Sequence, residues 1–558
     1  MNAIFLAVFG LVVMFTGFFL YSKFIANKIY KLDENFETPA HSMKDGVDYV
    51  PTNKYVLWGH HFTSVAGAAP IVGPAIAVIW GWLPALLWVS IGTVFFAGVH
   101  DMGAVWASVR NKAKSMGALS GDVVGKRARS LFMIVIFLVL LMVNAVFGVV
   151  IANLLINNPG SVVPVWGAIV VAMIIGQAIY RFKWNLPLVS LVGVVVLYTL
   201  IWVGPSVPVA LPETTFGLSA NASWIILLFV YAAIASLLPV WMLLQPRDYI
   251  NGLQLFVGLG LLYFAVFISG PTVVAPMINS DVPAGTPSLF PLLFVTIACG
   301  AISGFHGIVA SGTTSKQLNR ETDARLVGYG GALGEGTLAL AAIIAASAGF
   351  ATYAEWKEVY SSFGDGGLKA FVDGGGAILH AGTGISPEVS ATMLTVMAAL
   401  FAGTTMDTGL RLQRYIFQEW GEIYNLNWMK KAAPATLLSV GSCLLLAFGA
   451  GGASGSGGLL IWPLFGTTNQ LMAGLTLLVI AVMLVRRKTN AIYIIAPMAF
   501  ILLIGLLALA IQIYTFFMQS KWFLCGLAVV VLVAGVLVTL ESASVLRKEQ
   551  KAAKAASA

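Results

Sequence analysis

The chain has 558 residues, of which 59% are hydrophobic and only 10% charged, with a net charge of +8. A soluble domain carries roughly 25% charged residues and could not cover so much apolar surface, which excludes a water-soluble fold. Runs of about 20 apolar residues, enough to cross the hydrocarbon core as helix, also exclude an outer-membrane barrel, whose strands alternate over about ten.

The expectation is an all-α polytopic membrane protein. Its roughly fifteen spans lie near 2–22, 58–82, 84–107, 131–156, 164–180, 187–204, 223–244, 252–278, 290–312, 330–350, 389–410, 434–449, 467–485, 492–515 and 522–540. The first run has no basic segment before it and reads as a retained helix rather than a cleaved signal. The run at 434–449 is short and could be longer or re-entrant. With the N-terminus outside, 28 of the 31 Lys and Arg fall in cytoplasmic segments, leaving Lys357, Lys369 and Lys521 outside. The positive-inside rule therefore predicts an external N-terminus and a cytoplasmic C-terminus in the inner (cytoplasmic) membrane. The same distribution places the excess charge in loops that face anionic lipid, so the bilayer is the expected partner and nucleic acid is not. Cys299, Cys443 and Cys525 lie in apolar segments without CxxC spacing and read as small buried hydrophobes.

The second span carries His60-His61-Phe62-Thr63-Ser64, then Gly67-Ala68-Ala69-Pro70 and Gly73-Pro74. Proline removes a backbone donor and glycine lowers the cost of unwinding. Irregular backbone at membrane depth persists only where protein or a water-filled cavity satisfies it. A discontinuous helix would offer amide ends to a carboxylate and freed carbonyls to a cation; the plainer alternative is a kink that lets helices pack closely. The next span brings His100 and Asp101 toward the same cytoplasmic side. His60, His61, His100 and Asp101 could thus converge as a proton relay, a packing network or a metal site, although no metal spacing occurs on one helix.

Five spans later, Ser236-Leu237-Leu238-Pro239 interrupts another helix, with Gln245-Pro246-Arg247-Asp248 at its cytoplasmic end. The two broken helices run in opposite directions, as an inverted 5+5 repeat requires. That divides the chain into an extra N-terminal helix and loop (1–57), two five-helix repeats (58–204 and 205–410) and additional C-terminal helices with a short tail (411–558). A third irregular segment runs from Cys299 through Ser303-Gly304-Phe305-His306-Gly307 to Ser311 and Ser315. It suits either a cation or carboxylate site or a packing interface of small residues.

Ionisable groups within spans are costly and become candidates for function. His306 lies mid-span and can relay a proton near neutral pH. Glu335 sits between two glycines, and Asp407 stands four residues before Arg411, whose intrahelical ion pair is its plain explanation. The glycine-rich segment 351–388, with Glu355, Glu358, Asp365, Asp373 and Glu388, reads as an external loop, either solvated or a substrate gate.

Six stretches carry a family resemblance: GHHFTSVAGAAPIVGPAIAVIWGWLPALLW (59–88), FAGVHDMGAVWASVR (96–110), SLLPVWMLLQPRDYI (236–250), SGFHGIVASGTTSKQLNRETDA (303–324), GTTMDTGLRLQRY (403–415) and PLFGTTNQLMAGL (463–475). In these, and over nearly its whole length, the chain resembles the carbon starvation protein family. The resemblance implies uptake of peptides or pyruvate driven by protons. It also implies the LeuT-like inverted repeat of the amino acid–polyamine–organocation superfamily. It does not choose between the substrates.

Alternating access is the expected mechanism, with substrate held by Ser64, Gly67, Ala68, Ala69, Gly73, Pro239, Ser303 and Gly304. His306 leads for proton coupling, followed by His60, His61, His100, Asp101, Glu335 and Asp407. A sodium-coupled carrier with Ser303 and Ser311 at the cation is the alternative, as are a channel and a nutrient sensor without net transport. No cofactor beyond a coupling ion is expected. Without an HExxH or Walker motif, an enzyme is not expected either.

Overall fold

The computed structural model describes residues 1–46, 48–215, 217–239, 242–363, 366–455 and 457–555. Thirteen described helices are long and apolar enough to cross a bilayer, and a helix pair bent by 52° supplies one further crossing. In chain order, α1 (Ile4–Tyr30) precedes the bent pair, α2 (Lys54–Ala66) and α3 (Ala69–Trp80), followed by α4 (Trp82–Val109) and α5 (Lys126–Asn157). Next come α6 (Pro159–Ile179), α7 (Pro187–Ser206), α8 (Ala220–Leu237) and α9 (Leu244–Ser269). A second interrupted segment comprises α10 (Leu289–Thr296) and α11 (Gly304–Val309), whose helical turns continue to Gln317. The chain ends with α12 (Glu321–Ala348), α13 (Tyr353–Val359), α14 (Gly366–Thr383), α15 (Pro387–Ile423), α16 (Ala432–Ala450), α17 (Leu460–Arg486), α18 (Ile492–Met518) and α19 (Trp522–Lys551). Every span expected from the sequence has a counterpart, including a full-length α16 where 434–449 looked short.

Local chemistry explains the first break. Gly67 takes φ +56, a left-handed value that ends α2, and Pro70 falls in the first turn of α3, where a missing N–H is harmless. The second break, 297–303, turns at Gly300 with φ +92. The breaks lie side by side, with Gly300 packed on Pro70 and Gly73 on Thr296.

The interruption expected at Ser236–Pro239 is not a mid-span break. Helix α8 simply ends at Leu237, and Pro239 lies exposed in the link to α9. Arg411 donates to the carbonyls of Ala235 (2.9 Å) and Leu238 (2.8 Å), and Arg414 to that of Ser236 (2.6 Å). Cationic donors at a helix C-terminus satisfy its orphan carbonyls, so α8 can end at Leu237. The partner of the α2/α3 break is therefore the third irregular segment of the sequence, not the Pro239 region.

The segment 351–388 is also not a loop. It folds into α13 and the glycine-faced α14, which enters the protein beside α3 and α12. A Cβ on Gly367 would stand 2.7 Å from Ile76, one on Gly374 2.3 Å from the Ala345 carbonyl oxygen, and one on Gly382 2.4 Å from Ala265. Glycines every seven or eight residues mark one helix face that admits close backbone contact. Glu355, Glu358, Asp373 and Glu388 are exposed, and Asp365 lies outside the described residues.

Ion pairs sort the connections by end. At one end Arg110 meets Glu321 (2.6 Å), Arg320 meets Glu34 (2.8 Å), Lys316 meets Asp48 (3.7 Å) and Arg486 meets Glu549 (2.9 Å). These are the segments that the charge count groups together. Between two of the opposite segments, Lys357 pairs with Asp281 at 2.6 Å. Helix α17 is wholly enclosed and α5, α12 and α15 nearly so, whereas α1, α7, α16 and α19 present most of their surface outward.

Candidate functional site

A set of four buried ionisable side chains lies just past the second break. His306, on the first turn of α11, places Nδ1 2.8 Å from Asp101 Oδ2 and Nε2 3.1 Å from Glu335 Oε2. The other Asp101 oxygen, Oδ1, receives His100 Nδ1 at 2.7 Å. All four side chains are fully buried. Helix α4 supplies His100 and Asp101, α11 supplies His306, and α12 supplies Glu335. Close approach is built in: Gly336 fits against Thr93 of α4, and Gly307 against His100.

The chemistry follows from the donor inventory. An ionised Asp101 can only accept, so both imidazole Nδ1 atoms donate to it. Nε2 and Oε2 face each other at 3.1 Å, an ion-pair distance without an aligned hydrogen bond, and a proton on either side leaves the pair with a single compensating charge arrangement: imidazolium against carboxylate, or imidazole against carboxylic acid. Loss of that proton would leave two carboxylates beside a neutral ring in a dry interior, an expensive arrangement.

The breaks themselves are lined by small residues and polar side chains. A Cβ on Gly67 would lie 2.8 Å from Thr405 Oγ1 of α15 and 3.0 Å from the Phe147 ring of α5. Ala68 and Ala69 follow as the entry to α3. Ser303 and Gly304 face α17: Asn469 Nδ2 donates to Ser303 Oγ (3.0 Å), its Oδ1 accepts from the Phe305 amide (2.8 Å), and Gly304 abuts the Asn469 carbonyl and Met472. Asn469 thus fixes the geometry of the second break.

The remaining predicted residues divide among separate groups. His60 Nδ1 lies 3.4 Å and Ser64 Oγ 3.5 Å from Asp248 Oδ2 of α9. His61 instead contacts Thr314 Oγ1 through Nδ1 at 2.8 Å. The convergence of His60 and His61 with His100 and Asp101 therefore does not occur as one group, because the two rings leave α2 toward different helices. Asp407 pairs with Arg247 of α9, not Arg411, and accepts from Tyr231 Oη of α8 at 2.8 Å. Ser311 donates to the Gly307 carbonyl (2.7 Å) and accepts from the Met116 amide (3.1 Å), whereas Ser303 is held by Asn469. Ser303 and Ser311 thus have different neighbours and form no joint cation site. Pro239 lies exposed in the link between α8 and α9.

Sequence reasoning missed Asn469, Thr405, Tyr231 and the depth of Arg247 and Asp248. The run Thr467-Thr468-Asn469-Gln470 within an apolar span was a usable signal, since all four are fully buried. Among the described residues, no group of three or more His, Cys, Asp or Glu is disposed to hold a metal ion.

Two touching interrupted helices within a helical membrane fold, beside a cluster of buried ionisable side chains, define a membrane protein of LeuT-like architecture. A solved manganese transporter from Eremococcus coleocola, in complex with an aromatic bis-isothiourea substituted compound, shares the fold. It covers 91% of this chain and 99% of its own, with a TM-score of 0.52 at 12% identity.

The chain belongs to the carbon starvation protein CstA family, whose model matches residues 2–361 and 351–508. It is 34% identical over 546 residues to the peptide transporter CstA of Campylobacter jejuni, covering 87% of this chain and 76% of the relative. To the peptide transporter CstA of Bacillus subtilis it is 33% identical over 543 residues, covering 90% and 89%. To the pyruvate/proton symporter BtsT of Escherichia coli it is 30% identical over 604 residues, covering 94% and 83%.

Proposed function

We propose that this protein is a proton-coupled uptake carrier for peptides or pyruvate, working by alternating access in the cytoplasmic membrane. The names of its relatives supply the substrate classes. The observation that carries the proton coupling is His306, held between Asp101 and Glu335 at the start of the helix that follows the second break. A shift of the α10/α11 break relative to α4 and α12 would change the spacing of His306 from both carboxylates. The proton affinity of the cluster would change with it, and proton and substrate would thereby be coupled.

In this reading each inverted unit begins at an interrupted helix. The second comprises α10/α11, α12, α15, α16 and α17. The first comprises α2/α3, α4, α5, α8 and α9, with α6 and α7 as a peripheral pair inserted after α5. The boundary between units then falls near 289 rather than 205. Support comes from the contact of the two breaks and from α6 and α7 packing on one another. The N-terminus lies outside and the C-terminus inside, supported by the gathering of the basic segments at one end.

The test is uptake of labelled pyruvate into proteoliposomes under an imposed inward proton gradient, with unlabelled Ala-Ala as competitor. Accumulation abolished by an uncoupler is expected. Binding of either compound without flux would favour a sensor, and flux without accumulation a channel.

A further inference from the structure

The chain that joins α1 to α2 crosses the end of the protein where the basic segments gather, and its two parts are held very differently. The first part is firmly seated. Tyr30 Oη, at the end of α1, donates to the Val99 carbonyl of α4 at 2.8 Å. Glu321 is fully buried and accepts the Asp33 amide (2.7 Å) and Arg110 Nη2 (2.6 Å), while the Arg110 guanidinium lies 4.1 Å from the centre of the Phe36 ring. The buried Thr38 hydroxyl donates to the Leu318 carbonyl at 2.6 Å. A buried carboxylate with charge-assisted bonds resists separation, because parting would strand it without compensation.

The second part is lightly held, and it bridges the two interrupted helices. Thr52, two residues before α2, donates its amide to the carbonyl of Gln317 (3.0 Å), where the helical turns after α11 end, and forms a parallel bridge with Leu318. Lys316 faces Asp48 at 3.7 Å and the Tyr49 ring at 5.5 Å. Asp48 is exposed, and an ion pair open to water adds little. Further along α2, His61 Nδ1 meets Thr314 Oγ1 at 2.8 Å. The half of the first interrupted helix that precedes its break is thus tied to the half of the second that follows its break.

We propose that residues 48–52 are a latch on these two halves, which parts from 316–318 when the carrier opens to the cytoplasm, while residues 31–38 stay seated. The proposal rests on the alternating-access reading and on the placement of this end of the protein at the cytoplasm. Opening on that side separates the two halves, since alternating access rocks one set of helices against the other. Asn53 Oδ1 caps α2 by accepting the Tyr55 amide at 2.9 Å, so the helix is well formed from its first turn. A tilt of α2 about Gly67, where φ +56 breaks the helix, therefore carries Thr52 off Gln317 directly. The additional helix α1 is the fixed post of this device. Its Gly10 fits against Leu340 of α12 and its Gly17 against Val94 of α4, so the seated part does not follow α2.

The experiment bridges residue pairs with a short bifunctional methanethiosulfonate, whose link a reductant cleaves, in purified full-length protein carrying Cys525→Ser. Cys299 and Cys443 are buried, and the reagent is also applied to the Cys525→Ser parent as a control. Uptake of labelled pyruvate and labelled Ala-Ala is then measured in proteoliposomes under an inward proton gradient. Bridging Asp48→Cys/Lys316→Cys should lower uptake about tenfold or more, in step with the fraction bridged, and reduction should restore it. Equilibrium binding of the same substrate should persist in the bridged protein. Bridging Glu34→Cys/Arg320→Cys, a pair whose native side chains meet at 2.8 Å beside the seated part, should leave uptake unchanged. Full uptake by the bridged 48/316 protein, loss of its binding together with uptake, or equal loss in the bridged 34/320 protein would overturn this proposal alone. A parent protein that accumulates neither substrate would overturn the transport reading and this proposal with it.

Discussion

Gly73 of α3, the second half of the first interrupted helix, passes so close to Thr296 of the second that a Cβ on it would stand 2.3 Å from the Thr296 carbonyl oxygen. The obstacle is backbone at the very end of α10, so neither partner can yield by a rotamer change. The contact locks the two breaks together and sets the spacing of everything attached to them.

Gly73→Ala should therefore destabilise the protein by about 1–3 kcal/mol, the usual cost of forcing volume into a packed site. Gly441→Ala in α16 is the control, because a Cβ there meets nothing within 4 Å. Thermal unfolding in detergent should separate the two variants, and uptake should fall in Gly73→Ala only.

His306→Gln should abolish accumulation against a gradient while sparing counterflow exchange, because glutamine can keep hydrogen bonds but cannot carry the proton. Asp101→Asn removes the buried charge between two imidazoles and replaces one of its two acceptor oxygens with a donor, so either His306 or His100 loses its partner; its cost is larger and structural, about 3–5 kcal/mol. Parallel uptake and unfolding measurements should show function lost with stability kept in the first variant and both lost in the second.

Asn469 holds the second break from α17 through the Phe305 amide (2.8 Å) and Ser303 Oγ (3.0 Å). Asn469→Ala strands a buried amide donor, at a cost of about 1–3 kcal/mol. Uptake should fall with it, and Asn469→Asp, which retains the acceptor for the amide, should recover part of the stability.

A double-mutant cycle between Arg247 and Asp407 should give a coupling of more than about 1.5 kcal/mol, and one between Arg411 and Asp407 less than about 0.5 kcal/mol. The sequence alone favoured the second pair, four residues apart on one helix. A large Arg411–Asp407 coupling would contradict the observed role of Arg411 as a cap on α8.

These contrasts show which signals are local. The first break was legible because Gly67 and Pro70 act on their own backbone. His306, Asp101 and Glu335 were legible as candidates because ionisable groups inside an apolar span are rare, although which of them would meet was not. The Pro239 break was misread because a proline marks an interruption without saying whether the helix resumes. That outcome depends on Arg411 and Arg414, which arrive from a helix far along the chain. The second break has no proline, and only Gly300 and its neighbours hinted at it. The glycines of α14 read as a loop because a glycine face is recognisable only against the backbone it packs on.

The measurement that bears most directly on the account is substrate-driven proton entry. Proteoliposomes carrying a trapped pH dye, with no imposed gradient, are given external pyruvate or Ala-Ala. Internal acidification by wild-type protein, absent from His306→Gln even though that variant still exchanges labelled substrate, is the predicted result. Equal acidification by both proteins, or substrate entry by wild-type protein without acidification, would contradict proton coupling through His306.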